Sequence, residues 1–252
     1  MNLNIMISAE EDLRFRTYFP IINYQYDQWF KNVQYKEKTL NEEEKAEFVK
    51  VVDDIVSLFS SGLPLFTDEL KRTADLNDDY HRINRTLCSI SLFVLMTMCD
   101  CMVAGKYFIL ADTDYDKRFM RGKMKVILNE GFKKLYGYKE VNKKKSEWFR
   151  LLDYMKYFPE DLNLQYQDLT FQLENQSKKS SWWKDERDYE THIDSEKLYD
   201  SRLVEIKESK EMMETLQLYN ALFAVNHFLT NAHAYLTNIL VDKYRKGELK
   251  EE

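Results

Sequence analysis

Apolar residues along this chain recur at intervals of three and four rather than alternating. That spacing gathers them on one face of an α-helix, whose period is about 3.6 residues. Asn41 followed by Glu42, Glu43 and Glu44 reads as a helix start. The Asn side chain can cap free backbone N–H groups, and the acids suit the positive end of the helix dipole. Phe48, Val51, Val52, Ile55, Val56 and Phe59 follow at helical spacing. Ser60-Ser61-Gly62 with Pro64 predicts the end of that helix, and Thr67 the cap of a short one through Leu76. A long helix is predicted over 79–110. It is apolar nearly all round from Leu87 to Val103, so it is expected at the centre of a bundle.

Asp112 or Asp114 opens the next predicted helix, which runs to about Tyr136 with Gly137 as its stop. Further helices are predicted over 146–158, closed by Pro159, and over 161–176. Ser177-Lys178-Lys179-Ser180-Ser181 reads as a polar linker, with a serine capping a helix from Trp182 to about Lys207. The last helix, 211–245, carries the stripe Leu218, Leu222, Val225, Leu229, Ala232, Leu236 and Ile239. An antiparallel bundle partner needs such a stripe. Residues 1–40 hold many aromatics without a clean period, which predicts an arm over the bundle with some helix around 24–32.

Composition supports the same class. Six Gly and three Pro in 252 residues are too few for the turns of a β-rich fold. The expected fold is all-α, an up-and-down helical bundle over 79–252 with an N-terminal helical extension over 1–78. No internal repeat or clear boundary separates the two, so one continuous domain over 1–252 is the alternative. Cys88, Cys99 and Cys101 share one apolar stretch, lack zinc-site spacing and read as small buried hydrophobes in a reducing compartment. The run from Leu87 to Cys99 stops at Asp100 and is too short to span a bilayer, so a cytoplasmic location is expected.

The formal net charge is −6, unevenly spread. From Lys117 to Lys145, eleven Lys and Arg face two acids, a local +9 that leaves −15 for the rest. A basic stripe in an acidic protein suits an anionic partner. Arg118, Arg121 and Lys125 fall on one helix face. Lys133, Lys134 and Lys143 to Lys145, with Tyr136 and Tyr138, have the chemistry to neutralise and stack single-stranded RNA. The run also reads as a solvated helix face.

Several enzyme classes have no motif here: no P-loop, no G-x-G-x-x-G, no G-x-S-x-G and no Glu-x-x-His pair. His227 and His233, six apart, diverge by about 120° on a helix and suit no shared metal.

Arg187, Asp188 and His192 differ in kind. A histidine can move the proton of a ribose 2′-OH, and an arginine fork can hold the phosphorane charge. The spacing Arg187-x4-His192, with Asp188 after the Arg, resembles the signature of the HEPN superfamily, over residues 79–245. The resemblance implies a metal-independent endoribonuclease of a defence or toxin–antitoxin system, including phage defence, needing no cofactor. His192 would be the general base or acid, Arg187 the phosphate holder and Asp188 the orienting residue. It also implies a homodimer with the motif near a helix start at the cleft, and an RNA, antitoxin or other protein partner. Residues five apart on a helix diverge by roughly 140°, so the pair can meet only at a helix start, a kink or a dimer cleft. Against RNA, the acids Asp185, Glu186, Glu190, Asp194 and Glu196 crowd the motif. The same residues fit a solvated face of ion pairs. The alternative is a non-catalytic all-α interaction and dimerisation module, with Trp182-Trp183 and the last helix as its contact surface.

Overall fold

The computed structural model describes residues 41–180, 183, 187, 206 and 208–248. Among these are seven helical segments and no strand. Helix α1, Glu42–Arg72, starts from a reciprocal cap. Asn41 Oδ1 accepts from the Glu44 N–H at 2.9 Å, and Glu44 Oε2 accepts from the Asn41 N–H at 3.0 Å. Pro64 does not end this helix but lies inside it. A proline interrupts only its own bond to the residue four back, and Val52, Ile55 and Phe59 are already buried on this helix. The Ser60, Ser61 and Thr67 hydroxyls donate back to the Ser57, Leu58 and Leu63 carbonyls, so these residues serve the helix rather than stop it or cap a new one.

Helix α2, Asp79–Ile109, is the long central helix that the apolar run predicts. Asp78 Oδ1 caps it by accepting from the Tyr80 and His81 N–H groups. The helix ends at Ile109, as the expected range of 79–110 has it. Its most apolar window has a mean hydropathy of 2.0, so by length and composition it meets the dimensions of a membrane span, with 61% of that window buried inside the bundle. Helix α3, Asp114–Leu135, is capped by the Thr113 hydroxyl. Gly137, with φ of 89°, ends it by donating its N–H to the Phe132 carbonyl.

A single turn, α4, Glu140–Lys143, leads to a ten-residue 3-10 helix, Trp148–Tyr157, where an α-helix was expected. Its tighter period stacks positions three apart, and Trp148 and Leu151 are both buried. Phe158 then turns extended, as a residue before proline must. Helix α5, Glu160–Ser180, extends past the expected end at 176. Ser177 and Ser180 are buried, with the Ser177 hydroxyl donating to the Gly137 carbonyl, so the supposed linker over 177–180 is helix. Helix α6 is Glu208–Arg245.

Helices α1, α3 and α6 pack around α2, and α5 packs on α6. One core spans Phe48 and Ile55 of α1, Leu87 and Val94 of α2, Leu128 of α3 and the α6 stripe from Leu218 to Leu236. Trp148 is one of its largest fully buried side chains, stacked on Tyr166 at 4.6 Å with its Nε1 donating to Thr170 Oγ1. Three helices converge at Gly131, where a Cβ would lie 2.9 Å from Thr97 Cγ2 and 3.2 Å from Leu218 Cδ2. The arm expected over 1–40 and the helix expected to reach Lys207 lie outside the described residues.

Candidate functional site: two faces of the central helix pair

Of the HEPN-like motif, the described residues include Arg187 and not Asp188 or His192. Arg187 is helical, and its Nη1 pairs with Glu130 Oε1 of α3 at 2.8 Å. Glu130 also accepts from Asn129 Nδ2 at 2.9 Å and pairs with Lys133 at 3.4 Å. Trp183 is fully buried, edge-on to Phe132 at 6.1 Å. It is core rather than the contact surface expected of the tryptophan pair. The helix-start setting expected for the motif is not found in residues 177–180, which close a 21-residue helix.

The basic segment divides by direction. Arg121 and Lys125, expected to bind RNA, do not face solvent and cannot reach a phosphate backbone. Both are buried against the start of α6. Arg121 Nε donates to Glu211 Oε1 at 2.8 Å, and Lys125 Nζ pairs with Glu211 Oε2 at 2.8 Å and with Glu214. Burial alone would raise the Glu211 carboxyl, but Lys125 and Arg121 outweigh it and hold the group below its ordinary range. Two cations and two carboxylates thus neutralise one another inside the bundle. An isolated buried charge would cost several kcal/mol, by the order-of-magnitude rule for ions in a low dielectric.

Tyr136 and Tyr138 are corrected as stacking platforms for the same reason. Tyr136 is buried, donates its OH to Glu174 at 2.9 Å and lies under Lys143, whose ammonium is 5.5 Å from the ring centre. Burial, then the Glu174 hydrogen bond, pushes its phenol up. Tyr138 packs on Phe132 at 5.4 Å, and burial with the nearby Glu130 charge raises its phenol too. Arg118 is half-buried, Lys133 and Lys134 are exposed, and the Lys134 ammonium sits over the Phe93 ring at 5.1 Å.

The three described histidines are structural or exposed. His81 is held between the Asp78 carboxylate and Tyr244 OH, the latter at 2.9 Å. Burial pushes His233 down to about 4, which keeps it neutral beside Ser91. His227 is exposed. Among the described residues no three His, Cys, Asp or Glu side chains gather to hold a metal. The three cysteines are free thiols, and burial raises Cys88 to about 12 and Cys99 to about 11.

The surface that sequence reasoning missed lies on α2. Three of its sides are covered, as Lys106–Asp53, Thr97–Gly131 and Gly105–Met212 contacts show for α1, α3 and α6 in turn. The fourth side is open. Met96 (54% exposed), Val103 (36%), Tyr107 (55%) and Leu110 (40%) recur along it, and Tyr115 and Phe119 at the start of α3 are exposed beyond. Asp100 interrupts the stripe, and partial desolvation raises its carboxyl. One end meets the exposed acids Asp112, Asp114 and Asp116, and the other meets Lys133 and Lys134 above Phe93. The weak signal in the sequence was the recurrence of apolar residues all round α2, more than one buried face requires. No family model, curated protein or solved structure matches the chain.

Proposed function

We propose that the chain is a non-catalytic all-α interaction module that pairs with a second copy of itself through the open side of α2. The observation that carries this reading is the charge layout about Val103. Phe93 under Lys134 lies ten residues before it, and Thr113, between the acids, lies ten after. At 1.5 Å per residue Phe93 is about 15 Å before Val103, while the acids follow the helix end at Ile109, past the other end of the stripe. An antiparallel pair with its two-fold axis at Val103 sets the acidic end of each copy against the basic end of the other. Such an interface is isologous and closes as a dimer. Its centre is apolar and its rim charged, the usual anatomy of a specific contact.

Against catalysis weigh the Arg187–Glu130 pair, the burial of Arg121 and Lys125, and the covered ring of Tyr136. A phosphate approaching Arg187 meets the charge of the Glu130 carboxylate, 2.8 Å from its Nη1.

A charge-reversal experiment tests the pairing. One variant carries Asp112→Lys, Asp114→Lys and Asp116→Lys; the other carries Lys133→Glu and Lys134→Glu. Each alone is expected to dissociate, and their mixture to recover a heterodimer. Dimerisation of each variant alone as tight as wild type would overturn the antiparallel arrangement.

A second reading, RNA binding by a HEPN-like bundle, has one observation in its favour. Lys123, Lys133, Lys134, Lys139, Lys144 and Lys145 remain exposed. These lysines offer a non-specific phosphate surface, without the arginine forks and stacking rings of a sequence-reading site.

A further inference from the structure

The open side of α2 changes character toward its N-terminus. Arg82, Arg85, Thr86 and Ser89 replace the apolar residues there, at helical spacing of three, four and seven. The 3-10 helix faces them with Arg150 and Tyr154, and Leu70 of α1 completes the wall of an open groove of about 370 Å³. That is within the usual range for small-molecule sites, about 300–1,000 Å³.

Two of the arginines are fixed from behind. Arg85 Nη1 donates to the Thr73 and Leu76 carbonyls in the turn after α1. Arg150 Nη1 pairs with Glu147 and donates to Ser89 Oγ at 3.3 Å. Each anchor uses one nitrogen of a fork that carries five N–H donors in all. Arg82 is exposed and makes no ion pair among the described residues. Among the described residues Glu147 is the one carboxylate paired with these three guanidinium groups, which leaves about two positive charges of the lining without a described carboxylate partner. Like cations brought together without acids repel one another, and an anion relieves that repulsion.

We infer that this groove binds a phosphoryl group carried on a small molecule, with a diphosphate as its best fit. Arginine forks match phosphate oxygens two at a time, and three forks outnumber the two oxygens of a carboxylate. The Ser89 hydroxyl adds an uncharged polar group on the same wall. The lining holds three guanidinium groups, a match for one or two phosphoryl groups rather than for a long polyanion. Fixed forks lose little freedom on binding, which favours affinity in a shallow site. The site involves different residues from the self-pairing surface and does not depend on it.

The test uses the full chain, titrated calorimetrically with inorganic phosphate, pyrophosphate and sulfate, and with a 5′-phosphorylated single-stranded oligonucleotide. Saturable pyrophosphate binding, tighter than phosphate and sulfate, is expected. Arg82→Gln and Arg150→Gln should each weaken it about tenfold or more, as the loss of a charge-assisted hydrogen bond does. Circular dichroism on both variants confirms the fold, and Lys139→Gln, outside the groove, should bind as wild type. Arg85 is left alone because it ties the α1–α2 turn. No saturable pyrophosphate binding, or binding that Arg82→Gln leaves unchanged, would overturn the site. Arg82-dependent binding of the oligonucleotide far tighter than pyrophosphate would overturn the small-molecule assignment.

Discussion

Helices α2 and α3 lie side by side, and each contradicts the role its composition suggests. Helix α3 is the basic element, yet Arg121 and Lys125 point into the bundle and are met by Glu211 and Glu214. Helix α2 is the apolar element, yet one of its four sides stays open, with arginines at one end and Met96, Val103 and Tyr107 at the other. What decides exposure is the complement on the neighbouring helices. A cation finds a buried place where another helix supplies a carboxylate, and an apolar stripe stays exposed where none of the described helices covers it.

The sharpest way to break this comparison is to remove the internal complement. Lys125→Met leaves Glu211 and Glu214 buried with Arg121 and the exposed Lys210 as their described cationic neighbours. Stability should fall by about 3–5 kcal/mol, the usual result of breaking a buried ion network from one side. In thermal denaturation that is a drop on the order of 10 °C for a chain of this size. A change below about 1 kcal/mol would mean that Lys125 is not locked in the bundle.

A smaller effect comes from acid. His233 is neutral in the fold, with its pKa lowered from 6.5 to about 4 by burial. Below pH 6.5 the unfolded chain takes up a proton that the folded chain refuses. Stability is therefore lost as pH falls from 6.5 toward 4, with the loss complete below that. His233→Gln should flatten this part of the pH–stability curve. Glu211 acts lower on the scale: its folded pKa is depressed, so its contribution is present above 4.5 and disappears as pH falls through the depressed value. An unchanged slope between pH 6.5 and 4 in His233→Gln would place the acid sensitivity elsewhere.

The smallest expected effect is on the outward face of α3. Lys133→Ala with Lys134→Ala should alter stability by no more than about 0.5 kcal/mol, as exposed substitutions do. The same variant sharpens the functional comparison in a filter assay with single-stranded RNA at low salt. Weak retention that falls with salt and with these lysines is a non-specific surface. Tight retention that survives the substitution would restore an RNA site to the rest of the molecule.

The sequence made α2 and α3 legible almost to the residue, because caps at Asp78 and Thr113 and the positive-φ Gly137 are local devices. Pro64 and Ser177 to Ser180 misled because their meaning is not local. Packing against α2 carries the first helix through its proline, and the Gly137 carbonyl gives the Ser177 hydroxyl an internal partner. The buried charge cluster did leave a trace. Glu211 and Glu214 share the face of Leu218 and Leu222, and Arg121 and Lys125 share that of Leu128 and Phe132. Charges on the apolar face of two helices mark an internal pair more than a solvated run. The arginine groove was half visible, since Arg82, Arg85 and Ser89 lie on one helix face. Its other wall comes from Arg150, 61 residues after Ser89, which helical periodicity does not connect.

The claim on which the account rests most is that α2 turns its open side to a second copy. Sedimentation equilibrium on the full chain, wild type beside Val103→Glu, tests it directly. Position 103 is already exposed, so the substitution should leave helix content and thermal stability close to wild type. The account predicts a wild-type dimer at micromolar concentration and a monomer for Val103→Glu. A monomeric wild type, or a dimer that Val103→Glu leaves intact, would contradict it.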